Sequence, residues 1–505
     1  MALQPLPTKK CEMSALIDNL EKYWMVHLLL VFYISMLAYH AWKGNRKTRG
    51  VADYYIGGRS MGGVAIGLSF FATYSSTNSF VGFSGQAYNW GIPWLLIVPF
   101  VVGLSLLAWV VVAPRLRHFA ESLDSLTIPD FIGFRFDSNA ARVFAAIIVI
   151  FASFFYMTAV FKGIGNLVEV FLEIPYKLAI VIVFFIVMIY TLVGGFISVV
   201  KTDGVQAVVM IFAAILLFSG TVAAAGGIES FFKVREQPGG ARLFSWSGGV
   251  AFPFLLGVLF AGTIKFLVDP RQLSRFYALK GQRAARTGLW VSTLSFAVVY
   301  TLLAPIGIFA RRIFPDGITD SDLVVPQLLT SADVFSDGVS AFLMLAMVAA
   351  AMSSLDSVLL VMASTAQRDI MGVFKKPDSE VSAIRATRFY VAVFAFITML
   401  IALNPPGGIV SLTALSGALY AACFFPVLIL GLYWRRGSET AVVGSFTVGL
   451  LVLLLWKYLP VSQSIHQVFP AVFSSLFFYI IASFSTAANK AEEVEKLFSV
   501  SEQRL

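Results

Sequence analysis

The 505-residue chain is 58% hydrophobic and only 13% charged, with a mean hydropathy of +0.82, whereas soluble domains carry roughly 25% charged residues. That balance excludes a string of soluble domains. The net charge of +9 is scattered over many short loops, which argues against a nucleic-acid surface and for a basic bias on one membrane face.

Thirteen apolar runs of span length are predicted in chain order, near 23–42, 62–86, 92–113, 140–171, 175–195, 202–225, 250–275, 287–310, 337–365, 387–404, 407–434, 438–457 and 465–486. Each is long enough to cross ~30 Å of hydrocarbon, so the chain reads as an all-α polytopic membrane protein. The first run ends in the basic stretch KGNRKTR rather than a small-residue cleavage site, and so reads as a membrane helix rather than a leader. Basic loop residues such as Arg115, Arg117, Lys280, Arg283, Lys375, Lys376, Arg435 and Arg436 fall on one side of this arrangement. The positive-inside rule then places the N-terminus outside and the C-terminus in the cytoplasm. Cys11 and Cys423, in the N-terminal tail and in an apolar run, suggest neither a disulfide nor a metal or redox site.

Two of the runs are interrupted. The second contains Thr73, Ser75, Ser76, Thr77, Asn78 and Ser79; the seventh combines Gly262, Lys265, Asp269 and Pro270. Polar or broken helices persist in lipid only where they line a cavity or lie inside protein. Interrupted helices at matching positions five runs apart point to an inverted-repeat transporter with its site near the midplane. Close packing through small residues explains serine and glycine equally well, but not Asn78, Lys265 or Asp269.

The ninth run carries AAAMSSLDSVLL, Ala349 to Leu360. As a helix it sets Ala350, Ser353, Ser354 and Ser357 on one stripe, with Asp356 at its border. Hydroxyls, carbonyls and a carboxylate form an oxygen set suited to a hard cation of sodium's size. The polar break at 72–76 can supply further carbonyls. Back-bonding of each serine to its own helix is the plainer alternative. In VVKTDGVQAVVM, Asp203 opens the sixth run and reads either as a second site carboxylate or as a helix cap. Lys265 has three open roles: attracting an anion, pairing with Asp269, or snorkelling. Lys162 reads as snorkelling to the outer face, and Tyr156 as a core aromatic unless its helix lines the cavity. No nucleotide-binding loop or soluble-enzyme motif is present. The chain therefore reads as a non-enzyme without a cofactor, and any pumping must draw on an ion gradient or a partner.

Six collinear stretches resemble the sodium:solute symporter family: DYYIGGRSMGG, TIPDFIGFRF, YTLVGGFISVVKTDGVQAVVMIF, DPRQLSRFYALK, AAAMSSLDSVL and PVLILGLYWRRGSETAVVGS. The layout is most similar to bacterial sodium/proline symporters. The resemblance implies a LeuT-type five-plus-five inverted repeat. Residues 1–61 would form the tail, first span and basic inner loop, 62–225 the first repeat, 226–434 the second repeat with external loops, and 435–505 two further spans and a short cytoplasmic tail. It also implies a sodium site at Ala72, Ser75, Ala350, Ser353 and Ser354. A second cation site would use Asp203, Ser353, Asp356 and Ser357, although members with two sodium ions carry a hydroxyl where this chain has Asp356. Two carboxylates there hold a sodium more tightly or share a proton. The substrate pocket would use Ser76, Asn78, Ser79, Tyr156, Lys265 and Asp269. The family's sugar-binding pattern fails, because its positions fall on Ser79, Val98 and Asp269, leaving an amino acid or carboxylate as the expected solute. The expected function is sodium-coupled symport by alternating access in a bacterial inner membrane, with solute, sodium and lipid as partners and no obligate protein partner. Proton coupling and a receptor built on the same scaffold are the alternatives.

Overall fold

A computed structural model describes residues 21–246, 250–486 and 498; Cys11 and most of both tails lie outside the described residues. Helices dominate: α1 Trp24–Lys47, α2 Gly63–Tyr74, α3 Phe83–Trp90, α4 Ile97–Leu107, α5 Ile128–Phe136, α6 Asn139–Leu172, α7 Tyr176–Ala224, α8 Phe252–Thr263, α9 Pro270–Ala278, α10 Gln282–Leu303, α11 Asp337–Thr365, α12 Glu380–Ala402, α13 Ile409–Tyr433, α14 Glu439–Trp456 and α15 Val468–Ser485. Among the described residues, eleven helical runs are long and apolar enough to cross a membrane.

Several expected crossings depart from that simple form. The second is split, as its polar composition predicted: α2 ends at Tyr74, Ser75 is extended (φ −75°, ψ 110°), and a wide helical turn at Asn78–Gly82 leads into α3. The fifth and sixth run together as α7, whose 49 residues would measure about 74 Å if straight, more than twice the hydrocarbon thickness. Gly195 breaks it with φ 63° and ψ −178°, a backbone conformation that residues with a Cβ rarely adopt. Asp203 therefore lies inside a helix that resumes after Gly195. It is not the N-terminal cap that the apolar pattern allowed.

α11 is the central helix; 89% of its most apolar window is buried. The small residues Ala349, Ala350 and Ala351 are buried there, allowing close backbone approach. At the end expected to face the cytoplasm, a buried ion network joins α5, α6 and the turn after α11. Arg142 pairs with Asp130 at 2.7 Å and with Asp369 at 2.9 Å, while Arg368 pairs with Asp130 at 2.6 Å.

The kink yields a direct test. A Cβ on Gly195 would lie 2.8 Å from the Tyr54 ring. Gly195→Ala should cost about 1–3 kcal/mol, seen as a lower unfolding midpoint in detergent. Gly204, in the same helix with open space beside it, should accept alanine without loss.

Candidate functional site

A helix that ends in mid-bundle leaves its last carbonyls without backbone donors. At the end of α2, Phe71 O is taken by Ser75 N at 2.9 Å. The next two carbonyls are met from α11: Ser353 Oγ donates to Ala72 O at 3.0 Å and Ser354 Oγ to Thr73 O at 3.2 Å. Ser353 Oγ is also 2.9 Å from Ala350 O. Ala72, Ala350, Ser353 and Ser354, expected as one oxygen cluster, are thus together and fully buried. The Ser75 hydroxyl turns toward Tyr300, 3.5 Å away.

The carboxylate pair contains a residue the sequence reading missed. Arg275, on α9, donates to Asp203 Oδ2 at 3.0 Å and to Ser357 Oγ at 2.7 Å. Ser69 also donates to Asp203 Oδ2, at 2.5 Å. The cation beside Asp203 is therefore a guanidinium. Asp356 lies within electrostatic reach of both Asp203 and Arg275. Its Oδ1 accepts only a long bond from Ser357, 3.4 Å, and its Oδ2 has no partner. The DPRQLSRFYALK stretch held the signal: Arg275 lies one helical turn beyond Arg271, inside an apolar setting.

The expected substrate residues fall into two groups. Within the α2–α3 break, Ser76 Oγ accepts from Asn78 N at 3.2 Å, Ser79 Oγ is 2.5 Å from Tyr300 OH, and Asn78 Oδ1 is unpartnered. At the α8–α9 break, Lys265 Nζ and the Arg271 guanidinium lie 4.9 and 3.7 Å from the centroid of the Tyr156 ring. Tyr74 connects the two breaks, donating to Gly262 O at 3.1 Å and stacking on Phe266 at 4.1 Å.

Two pairings need correction. Asp269 does not pair with Lys265: it caps α9 and is held by Arg271 through the backbone N–H at 2.9 Å and the guanidinium at 2.5–3.1 Å. A planar guanidinium two residues away reaches both carboxylate oxygens, a geometry that suits Arg better than Lys. Lys162 does not snorkel. Its Nζ donates to Asp322 at 2.7 Å, and Asp322 also accepts from Ile409 N at 3.1 Å. A partner supplied by a loop is invisible to a reading of spans alone.

Two broken helices beside a serine-bearing central helix, with buried charges at the breaks, define a secondary transporter of the LeuT-type fold. A Na+-coupled sialic acid symporter has the same fold, with a TM-score of 0.79 at 19% identity over 92% of this chain and 98% of that one. The sodium:solute symporter family profile matches residues 54–449, and the chain belongs to that family. It is a transport protein, multi-pass in the plasma membrane. It is 28% identical to the sodium/pantothenate symporter of Haemophilus influenzae over 91% of this chain and 95% of that protein. It is 29% identical to the osmoregulated proline transporter OpuE of Bacillus subtilis, over 94% and 97%.

The Lys162–Asp322 pair, with side chains 15% and 4% exposed, gives a second test. Lys162→Met strands a carboxylate and should destabilise the protein by on the order of 3 kcal/mol. Adding Asp322→Asn should recover most of the loss in thermal unfolding.

Proposed function

We propose that the protein imports a small organic solute, an amino acid or carboxylate rather than a sugar, by sodium-coupled alternating access. The observation that carries this is the junction of α2 and α11, where serine hydroxyls of one helix meet free carbonyls of the other. A sodium ion wants about five or six oxygens. Ala72 O, Ala350 O, Ser353 Oγ and Ser354 Oγ supply four, and the carbonyl of Ser75 is the proposed fifth. Sodium binding there ties the broken helix to the central one and preorganises the adjoining pocket. Substrate and ion then favour the same arrangement, and each tightens the other by the same factor. The sodium/pantothenate and proline relatives support a small solute carrying a carboxylate.

A second cation near Asp356 is a further element of this reading. Arg275 neutralises Asp203, which leaves one buried negative charge. Sodium at Asp356, Asp203, Ser353 and Ser357 would balance it, and a proton is the alternative that makes the coupling ion H+. Replacing sodium by choline at fixed pH separates sodium coupling from coupling to protons alone: uptake is lost in the first case and kept in the second.

Ser353→Ala or Ser354→Ala should raise the half-saturating sodium concentration for uptake about tenfold, the effect of losing one ligand worth roughly 1–3 kcal/mol. Unchanged sodium dependence in both variants would remove the proposed site. A parent whose sodium dependence is sigmoidal, and hyperbolic in Asp356→Ala, would support a second sodium ion. Identical sodium curves with a shifted pH profile would support a proton there, and no change in either would assign Asp356 a structural role.

A further inference from the structure

We infer that the transported solute is a monoanion, an organic carboxylate without an amino group, whose carboxylate is held by Lys265 and Arg271 over the face of Tyr156. This rests on the symport reading and narrows its solute class.

Charge balance comes first. Lys265 is 2% exposed and Arg271 1%, with Asp269 fully buried between them in sequence. Asp269 neutralises Arg271, holding its Nε and Nη2. Among the described residues no carboxylate lies within ion-pair distance of Lys265 Nζ, whose nearest ring is Tyr156. Arg271 Nη1 and the Tyr156 hydroxyl make no hydrogen bond of ordinary geometry, and the two side chains face each other closely enough to interact. Two cations and one anion leave one positive charge, beside donors of three side chains gathered around one ring. Buried ammonium groups are costly unless matched by an anion, and guanidinium and phenol donors suit a carboxylate.

Access comes second. A cavity of about 470 Å³ lies at the end expected to face outside, between α3, α8, α13 and the loop before α15. Its walls include Phe254 and Val258 on α8, and Val410 and Ala414 on α13. On α8 the same helical face continues to Gly262, beside which there is open space, and then, one turn on, to Lys265. On α13 it continues to Gly417, where a Cβ would lie 1.8 Å from Ala261 O and 2.8 Å from Lys265 Cε. Lys265 thus follows the cavity-lining residues of α8 toward the break, and Gly417 lets α13 approach both α8 and the Lys265 side chain.

The same geometry disfavours a zwitterion. The one carboxylate at this break is committed to Arg271, so an amino acid's ammonium finds no counter-ion there.

The test measures the unfolding midpoint of the purified full chain in sodium chloride. It uses acetate, L-lactate and D-pantothenate, each against its uncharged counterpart (acetamide, L-lactamide, D-panthenol), together with L-proline. At least one carboxylate should raise the midpoint while its neutral counterpart does not. Lys265→Met should weaken that carboxylate at least tenfold while keeping the shift that sodium alone gives over choline, and Lys265→Arg should retain measurable binding. A neutral probe or proline binding as well as the carboxylates would overturn the inference, as would no response to any carboxylate. The comparison of paired probes on the parent chain decides the charge class even if a variant fails to fold. A carboxylate response without any sodium response would refute the symport reading and leave the anion site standing.

Discussion

The structure depends on one constraint: backbone carbonyls freed in mid-bundle must find partners where lipid offers none. A single unbroken α2 would satisfy its own carbonyls and leave nothing for an ion. Breaking it at Ser75 frees Ala72 O and Thr73 O, and the adjacent serines 353 and 354 meet them at 3.0 and 3.2 Å. A hydroxyl is the right group for this position because it can donate to a carbonyl and also offer lone pairs to a cation. Aliphatic side chains at 353 and 354 would leave the carbonyls orphaned. Carboxylates there would repel them unless a cation were always present. The small residues around Ala350 bring α11 close enough for such short side chains to reach.

The buried charges form a second layer of organisation. Asp203 is held by Arg275, Asp269 by Arg271, and Asp322 by Lys162. Asp130 and Asp369 are held by Arg142, and Asp130 also by Arg368. Arg135 donates to the carbonyls of Gly431, Trp434 and Arg435. Among the buried charged side chains described, Asp356 and Lys265 are left over, one negative and one positive, each beside a helix break. Charge without a protein partner is expensive at this depth. A cation at Asp356 and an anion at Lys265 would settle both, and would explain why neither site is filled by a side chain of opposite sign.

Much of this was legible in the sequence because it depends on local chemistry. The Thr73–Ser79 run and Asp269–Pro270 each contradict a continuous apolar helix, and both are breaks. The i, i+3, i+4 stripe Ala350, Ser353, Ser354 follows from helical geometry alone and faces the carbonyls it was expected to face. What escaped depends on which distant segments meet. Arg275 looked like a residue at a loop edge, yet it turns back into the bundle to reach Asp203, 72 positions away. Lys162 finds Asp322 on a loop 160 positions away. The start of the sixth crossing was placed too late because Ser198, Lys201, Thr202 and Asp203 lower the hydropathy of what is still helix, while the true break, Gly195, lies in apolar surroundings.

The most direct test of the account is hydrogen–deuterium exchange of the purified protein in sodium against an equal concentration of choline. A sodium ion bridging Ala72, Ser75, Ser353 and Ser354 should slow amide exchange across residues 75–79, the break whose backbone the ion would fix, and leave α14 unaffected. Equal exchange in both salts across residues 75–79, or a uniform slowing that includes α14, would contradict a sodium site at the junction of α2 and α11.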